Sequence, residues 1–339
     1  MMKLLQGNSL DRLKDIETES IDMCITSPPY YALRSYGDFN DIWPGMDIKG
    51  GCTHEWAEED NDNIPKQLGE RPEDVDPDLY VLPSPTERCT HCRAWKGQLG
   101  LETTVEEYVK HLCDIFDEVK RVLKPTGSCW VNLGDTYSKG LDTMDKCLCN
   151  VPSKFAIAMC DRGWLLRNEI IWHKPSVMPS SVKDRFTVDF EKMFFFTKSK
   201  DYYFKQQTEP YKEISINRMK WGYTSNKANI GVEGAKTQEG LFYDEEDVKN
   251  GRNMRCVWCI PTSNSRDNIH VAPFPTKLIE IPFKACMPEG GTVLDPFCGS
   301  GTVLDMAQQM GLDAIGIERV PKYVELIRKR VDFAQTRLF

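Results

Sequence analysis

Two stretches of this chain combine residue types that could do chemistry on a small planar group. The first is Thr26-Ser27-Pro28-Pro29-Tyr30. Consecutive prolines fix φ and remove N–H donors, so the turn is rigid and its carbonyls face outward. With the Ser27 hydroxyl beside it, such a turn can accept hydrogen bonds from an amino group, while Tyr30 offers a flat face for stacking. The second stretch is Asp295-Pro296-Phe297-Cys298-Gly299-Ser300-Gly301-Thr302. Its two glycines permit backbone angles closed to other residues and let a ligand approach the main chain.

Glu318 follows Gly299 by nineteen residues, where a nucleotide-binding α/β fold places an acid to accept hydrogen bonds from ribose hydroxyls. A glycine turn alone can serve chain reversal; an acid before it and another after it favour a nucleoside. The full dinucleotide pattern Gly-x-Gly-x-x-Gly is absent, because Leu304 stands in the third place. Asp295 would repel a pyrophosphate but suits the ammonium of a methionine moiety. Loop and acids together point to S-adenosylmethionine.

These motifs need strands and helices to hold them. Met2 to Gln6 and Ile21 to Thr26 are short apolar runs around a helix near Ser9 to Ile16, as buried parallel strands require. Apolar residues from Val105 to Leu123 recur at spacings of three and four, which predicts a helix with Thr104 as its N-cap and Lys124-Pro125-Thr126-Gly127 as its stop. Strand character follows at Cys129 to Leu133, a helix at Ser153 to Asp161, and strands at Leu165 to His173 and Lys192 to Thr197. The C-terminal part alternates again: strand Thr292 to Leu294, helix Thr302 to Met310, strand Asp313 to Ile317, and a helix from Pro321 to about Phe333. The expectation is an α/β protein with a doubly wound, mostly parallel sheet.

Net charge is −8, which at first disfavours a polyanionic partner. Its distribution removes the objection. Between Asp38 and Glu102 stand fifteen Asp/Glu and six Lys/Arg, so that stretch carries −9 and the remainder +1. Asp161 to Lys220 holds twelve Lys/Arg and eight Asp/Glu, interleaved with Trp172, Phe186, Tyr202, Tyr203 and Tyr211. A basic aromatic face and an ordinary solvated face explain that charge equally well. Nothing approaches the roughly 18 apolar residues of a membrane span, so a cytoplasmic protein with no membrane partner is expected.

The thirteen cysteines are dispersed, which fits reduced thiols. Cys52-Thr53-His54 and Cys89-Thr90-His91-Cys92 are the exception. Cys52, His54, Cys89 and Cys92 supply four ligands suited to tetrahedral zinc, which would anchor a stretch otherwise too acidic and polar to fold. Cys147, Cys149, Cys256 and Cys259 lie in segments that read as ordinary packing.

The motifs resemble those of the amino-group DNA methyltransferases, specifically the permuted (beta) group in which the catalytic motif precedes the cofactor motif. The resemblance covers most of the chain. It implies the S-adenosylmethionine-dependent methyltransferase fold in permuted order, with a zinc-binding insertion and a DNA-recognition segment. Residues 1–37 and 103–200 would form the catalytic half and 38–102 the acidic insertion, with little regular structure. Residues 201–268 would form the target-recognition segment and 269–339 the cofactor-binding half.

The resemblance also implies roles. Ser27, Pro28, Pro29 and Tyr30 would receive a base flipped out of duplex DNA, accept hydrogen bonds from its amino group and stack on it. Asp295 to Thr302 and Glu318 would hold the cofactor. Ala272-Pro273-Phe274-Pro275-Thr276-Lys277-Leu278 looks like the segment closing over its methionine end, giving Thr276 and Lys277, and Asn8 would lie near its adenine. His173-Lys174-Pro175 and Pro179 to Arg185 resemble a loop near the target base. Lys174, Lys183, Arg185 and Arg34 are the candidates for phosphate contacts.

Serine before Pro-Pro-Tyr goes more often in this family with cytosine N4, and aspartate usually with adenine N6, so cytosine N4 is the expected target and adenine N6 the alternative. The Pro-Cys dipeptide of enzymes that methylate cytosine C5 is absent. Duplex DNA is the expected partner, and the resemblance leaves room for a cognate restriction endonuclease, whose existence the sequence does not decide. Methylation of an RNA base or a protein amide is the nearest rival. A non-enzymatic DNA-binding module is the more distant one, and it would need neither motif.

Overall fold

The computed structural model describes residues 1–33, 35, 41–45, 51–59, 86–138, 146–214, 216, 250–262 and 275–333. The chain divides into two compact units, Met1–Phe204 with Val257–Phe339, and Lys205–Cys256.

The larger unit opens with β1 (Met2–Gln6), α1 (Ser9–Leu13) and β2 (Ile21–Thr26). Then come β3 (Asp41–Trp43), β4 (Trp56–Glu59), β5 (Thr86–Cys89) and β6 (Trp95–Gly97). Next are α2 (Val105–Val122), β7 (Leu123–Leu133), α3 (Val151–Asp161), β8 (Leu165–His173) and β9 (Phe190–Thr197). The smaller unit holds β10 (Thr208–Glu209) and β11 (Arg252–Asn253), paired antiparallel. The larger unit resumes with β12 (Val257–Cys259), α4 (Thr276–Cys286) and β13 (Thr292–Asp295). It closes with α5 (Thr302–Gln309), β14 (Asp313–Glu318) and α6 (Pro321–Arg330).

Eight strands form the central sheet in the order β1-β14-β13-β2-β7-β9-β8-β12. Every neighbouring pair is parallel except those made by β9, which runs antiparallel to β7 and β8. All six residues of β2 are buried, as a central strand covered on both faces requires. The amphipathic α2 buries Tyr108, Leu112, Phe116 and Val119 against the sheet. Thr104 caps it by accepting from the Glu107 N–H at 3.2 Å. From β13 the strand order runs to β14 and β1 on one side and to β2 and β7 on the other. The carboxyl ends of β13 and β2 therefore flank the topological switch point, where open α/β sheets bind ligands.

The described residues of the acidic insertion hold more regular structure than its composition suggests. β3, β6, β5 and β4 make a four-stranded antiparallel sheet in that order. Two aromatics bind this sheet to α2: Trp43 and Trp95 each stack on His111, with centroids at 4.5 and 5.5 Å. Beneath them His111 meets the fully buried Glu102 at 3.0 Å. Polar composition misled because the sheet's apolar content is concentrated in a few large side chains.

The expected recognition segment 201–268 also contracts. Phe204 packs on Phe195 of β9, with centroids 6.0 Å apart, and Val257–Cys259 pairs with β8 as the outermost strand. Among the described residues, no helix is long and apolar enough to cross a membrane.

Candidate active site

The two motifs meet because β2 and β13 are parallel neighbours, with Cys24 opposite Leu294. Thr26 ends one strand and Asp295 the other, and the Thr26 hydroxyl donates to Asp295 Oδ1 at 2.6 Å. The Phe297 N–H donates to the same oxygen at 3.1 Å. Asp295 is only 1% exposed, and burial pushes its carboxyl up to about 7 against those two hydrogen bonds.

The glycine loop follows directly. Gly301 adopts φ +80° at the N-terminus of α5, where an added Cβ would also meet Ile327 at 3.1 Å. Glu318, at the end of β14, accepts from the Gly299 N–H at 2.8 Å and the Val320 N–H at 2.7 Å. Burial pushes it too up to about 7, opposed by those N–H groups. Two desolvated carboxyls thus stand at the ends of adjacent strands, an environment that favours a cationic, hydroxyl-bearing ligand.

On the other side of the seam the Pro-Pro turn is fixed from several directions. The Tyr108 hydroxyl of α2 donates to the Pro29 carbonyl at 2.7 Å, leaving Ser27 and the Pro28 carbonyl as the turn's remaining acceptors. Ser27 Oγ donates to the Tyr30 hydroxyl at 3.3 Å, which in turn donates to Glu191 Oε2 at 2.8 Å. Asn132 Nδ2 donates to the same carboxylate at 2.9 Å, and Lys174 Nζ pairs with its other oxygen. Burial, followed by the Glu191 charge, raises the Tyr30 phenol well above its ordinary value and keeps it a neutral donor. Gly134 makes room for the ring, since a Cβ there would lie 2.7 Å from Tyr30 Cε2.

One cavity of about 570 Å³ spans both halves. Asn8, Pro296, Phe297, Gly299 and Glu318 line one end, and Ser27, Pro28, Pro29 and Tyr30 adjoin Glu191 and Lys174. Asp295, Cys298, Ser300, Gly301 and Thr302 lie behind this wall rather than on it. Asn8 caps α1, its side chain accepting from the Leu10 N–H at 2.8 Å, and it also bonds Asp41.

Other expected residues fall elsewhere. Thr276 and Lys277 are exposed on the first turn of α4 and are not among the cavity-lining residues, while 272–274 and Arg34 lie outside the described residues. Lys174, expected at a phosphate, is instead committed to Glu191 inside the cavity, 4.5 Å from the Trp172 ring centre. Lys183 and Arg185 are exposed on the loop between β8 and β9, and Arg185 stacks on Tyr137 at 3.4 Å.

Glu191, Asn132 and Tyr108 were not singled out in the sequence: Asn132 and Glu191 are polar residues within strands, and Tyr108 reads as one more position of the apolar stripe of α2. The insertion also walls the cavity through Asp41, Trp43, Gln98 and Leu99, which the sequence likewise left unmarked. Asp41 pairs with Arg319, next to Glu318.

At the far end of that sheet the ligand atoms of Cys52, His54, Cys89 and Cys92 all lie within 4.8 Å of one another. Cys52 Sγ is 3.7 Å from Cys89 Sγ, and Cys92 Sγ is 3.4 Å from His54 Nδ1. Ligands bound tetrahedrally to one zinc at about 2.0–2.3 Å stand roughly 3.4–3.8 Å apart, so the donor set fits that ion.

The family model described as DNA methylase, of the N6/N4 type, matches residues 21–329. The type II methyltransferase M.XycI of Xanthomonas campestris pv. cyanopsidis is 30% identical, over 97% of this chain and 87% of its own. M.Cfr9I of Citrobacter freundii is 28% identical over 99% and 89%. Among solved structures, the cytosine-N4-specific PvuII DNA methyltransferase superposes with a TM-score of 0.59 at 19% identity, covering 99% of this chain and 88% of its own. A candidate DNA modification methylase of Thermus thermophilus, complexed with S-adenosyl-L-methionine, gives 0.54 at 19%, over 99% and 100%.

Proposed function

The chain belongs to the N6/N4 DNA methylase family and is an S-adenosylmethionine-dependent DNA methyltransferase acting on amino groups, and on that premise we propose that its target is N4 of cytosine in a specific duplex sequence. The choice of cytosine rests on one residue, Ser27, in the place where aspartate accompanies adenine N6 in this family.

The bound cofactor supplies an electrophilic methyl group; everything else falls to the chain. Glu318 binds ribose hydroxyls, and Asp295 provides negative charge close to the methionine ammonium. Tyr30 stacks on the extruded base. Ser27 Oγ and the Pro28 carbonyl accept from the amino group, which orients its nitrogen and raises its electron density. Direction matters here. Ser27 donates toward Tyr30 and Tyr30 toward Glu191, so Ser27 presents a lone pair to the substrate. The proton released from the methylated nitrogen passes to Ser27, as the Ser27 proton moves to Tyr30 and the Tyr30 proton to Glu191. Lys183, Arg185 and Arg34 contact phosphates, and Lys174 positions Glu191.

Cys52, His54, Cys89 and Cys92 hold a structural zinc that cross-links the insertion. A cognate restriction endonuclease fits the same reading, since the named relatives are type II methyltransferases. Incubation with methyl-labelled cofactor and, separately, duplex DNA, RNA and protein tests the substrate class. Label is expected in duplex DNA, and label in RNA or protein alone would overturn the reading.

A further inference from the structure

The loop between β8 and β9 carries a side chain that neither packing nor the chemistry above uses. Phe186 is 95% exposed, against the ordinary tendency of so large an apolar ring to be covered. The loop around it is held. Its neck is closed by the Lys174 N–H donating to the Asp189 carbonyl at 2.7 Å. The two residues before Phe186 are pinned to another segment: Asp184 pairs with Lys146 at 3.6 Å, and the Arg185 guanidinium lies over Tyr137. The ring is therefore presented outward from a loop that is closed at its neck. Two residues further on, Val188 enters the cavity wall, followed by Phe190 and Glu191. At about 3.3–3.6 Å per extended residue, Phe186 lies no more than ~18 Å along the chain from Glu191, within reach of the site that receives the base.

We propose that Phe186 enters the double helix at the position vacated by the target base and stacks there in its place. The proposal rests on the base-extrusion reading above. An extruded base leaves a gap with two apolar faces, which an aromatic ring fills without sequence-specific hydrogen bonds. Lys183 and Arg185, beside it on the same tip, supply the positive charge that a flanking backbone would meet. A patch serving a second copy of this chain would not need two cations directly before a single exposed ring.

The test uses the full chain. The modified position is first located by sequencing DNA from cells that express it. A duplex bearing that site, with pyrrolocytosine at a cytosine target or 2-aminopurine at an adenine target, is then titrated with protein and S-adenosylhomocysteine. Fluorescence reports extrusion, and calorimetry reports S-adenosylhomocysteine affinity. Phe186→Ala is expected to lower the extruded fraction and kcat/KM about tenfold on the matched duplex. The loss should shrink when the target is mispaired, because less stacking must then be broken. Phe186→Trp should retain function, and S-adenosylhomocysteine affinity should not change.

Equal extrusion by Phe186→Ala and wild type would overturn the proposal. So would an equal loss on matched and mispaired duplexes, or a wild-type dimer that Phe186→Ala dissociates in sedimentation. Failure to find any modified position would overturn the DNA reading and this inference with it.

Discussion

Asp295 is a carboxyl held where ionisation is unfavourable, so replacing it with Asn should make the protein more stable and less able to bind its cofactor. Both hydrogen bonds it accepts end on Oδ1, from Thr26 and Phe297, and an Asn side chain keeps them with its carbonyl oxygen. What changes is the charge. Burial lifts the folded-state value from 3.8 to about 7. The sign follows: below 3.8 both folded and unfolded forms are protonated and the substitution is neutral. Between 3.8 and about 7 the unfolded chain gives up its proton while the folded chain keeps it, so wild-type stability falls as pH rises. Above about 7 the whole penalty is present. The difference between the two values corresponds to about 4 kcal/mol at most, a rise in Tm of several degrees for a chain of this size.

Thermal unfolding of wild type and Asp295→Asn at pH 4, 6 and 8, each with and without S-adenosylhomocysteine, measures it. The two proteins should melt together at pH 4 and diverge by pH 8, with the variant higher. A ligand at a hundred times its dissociation constant should add about 2.7 kcal/mol to wild type and much less to the variant. A variant no more stable than wild type at pH 8, or stabilised equally by the ligand, would refute the argument.

Three other outcomes follow from the same geometry. Glu191→Gln removes the end of the hydrogen-bond path from Ser27 through Tyr30, so kcat should fall about a hundredfold with S-adenosylhomocysteine affinity kept; an unchanged kcat would remove that path. Metal analysis should find about one zinc per chain. Cys92→Ser should lose most of it and weaken S-adenosylhomocysteine binding, because the same sheet brings Asp41 and Trp43 to the cavity, whereas a metal-free wild type of full stability would refute the site. Arg185→Ala should weaken duplex binding and reduce its salt dependence by about one counterion with cofactor affinity intact, and equal DNA affinity at moderate salt would remove Arg185 from the interface.

The permuted α/β order was readable because β2 and β13 are short apolar runs that end directly in motif residues, Thr26-Ser27 and Asp295-Pro296. The motif pattern located the glycine loop and the acid at Glu318, and Cys52, His54, Cys89 and Cys92, which the fold brings together, stood out by spacing. Long-range partnership was not readable. Nothing in the local pattern around Glu191 says that Tyr30 lies 161 residues away in sequence and 2.8 Å away in space. Lys174 shows the same limit: nothing beside a lysine before a proline announces its pairing with Glu191. The insertion's sheet was hidden because its order depends on Trp43 and Trp95 reaching His111, a contact between segments with unlike compositions.

Which atom receives the methyl group can be read directly from the product. Duplex DNA containing the recognition sequence, treated with enzyme and cofactor and digested to nucleosides, can be resolved by chromatography and mass spectrometry against methylated standards. N4-methyldeoxycytidine is the expected product. N6-methyldeoxyadenosine would contradict the role given to Ser27, and 5-methyldeoxycytidine would contradict the amino-group chemistry itself.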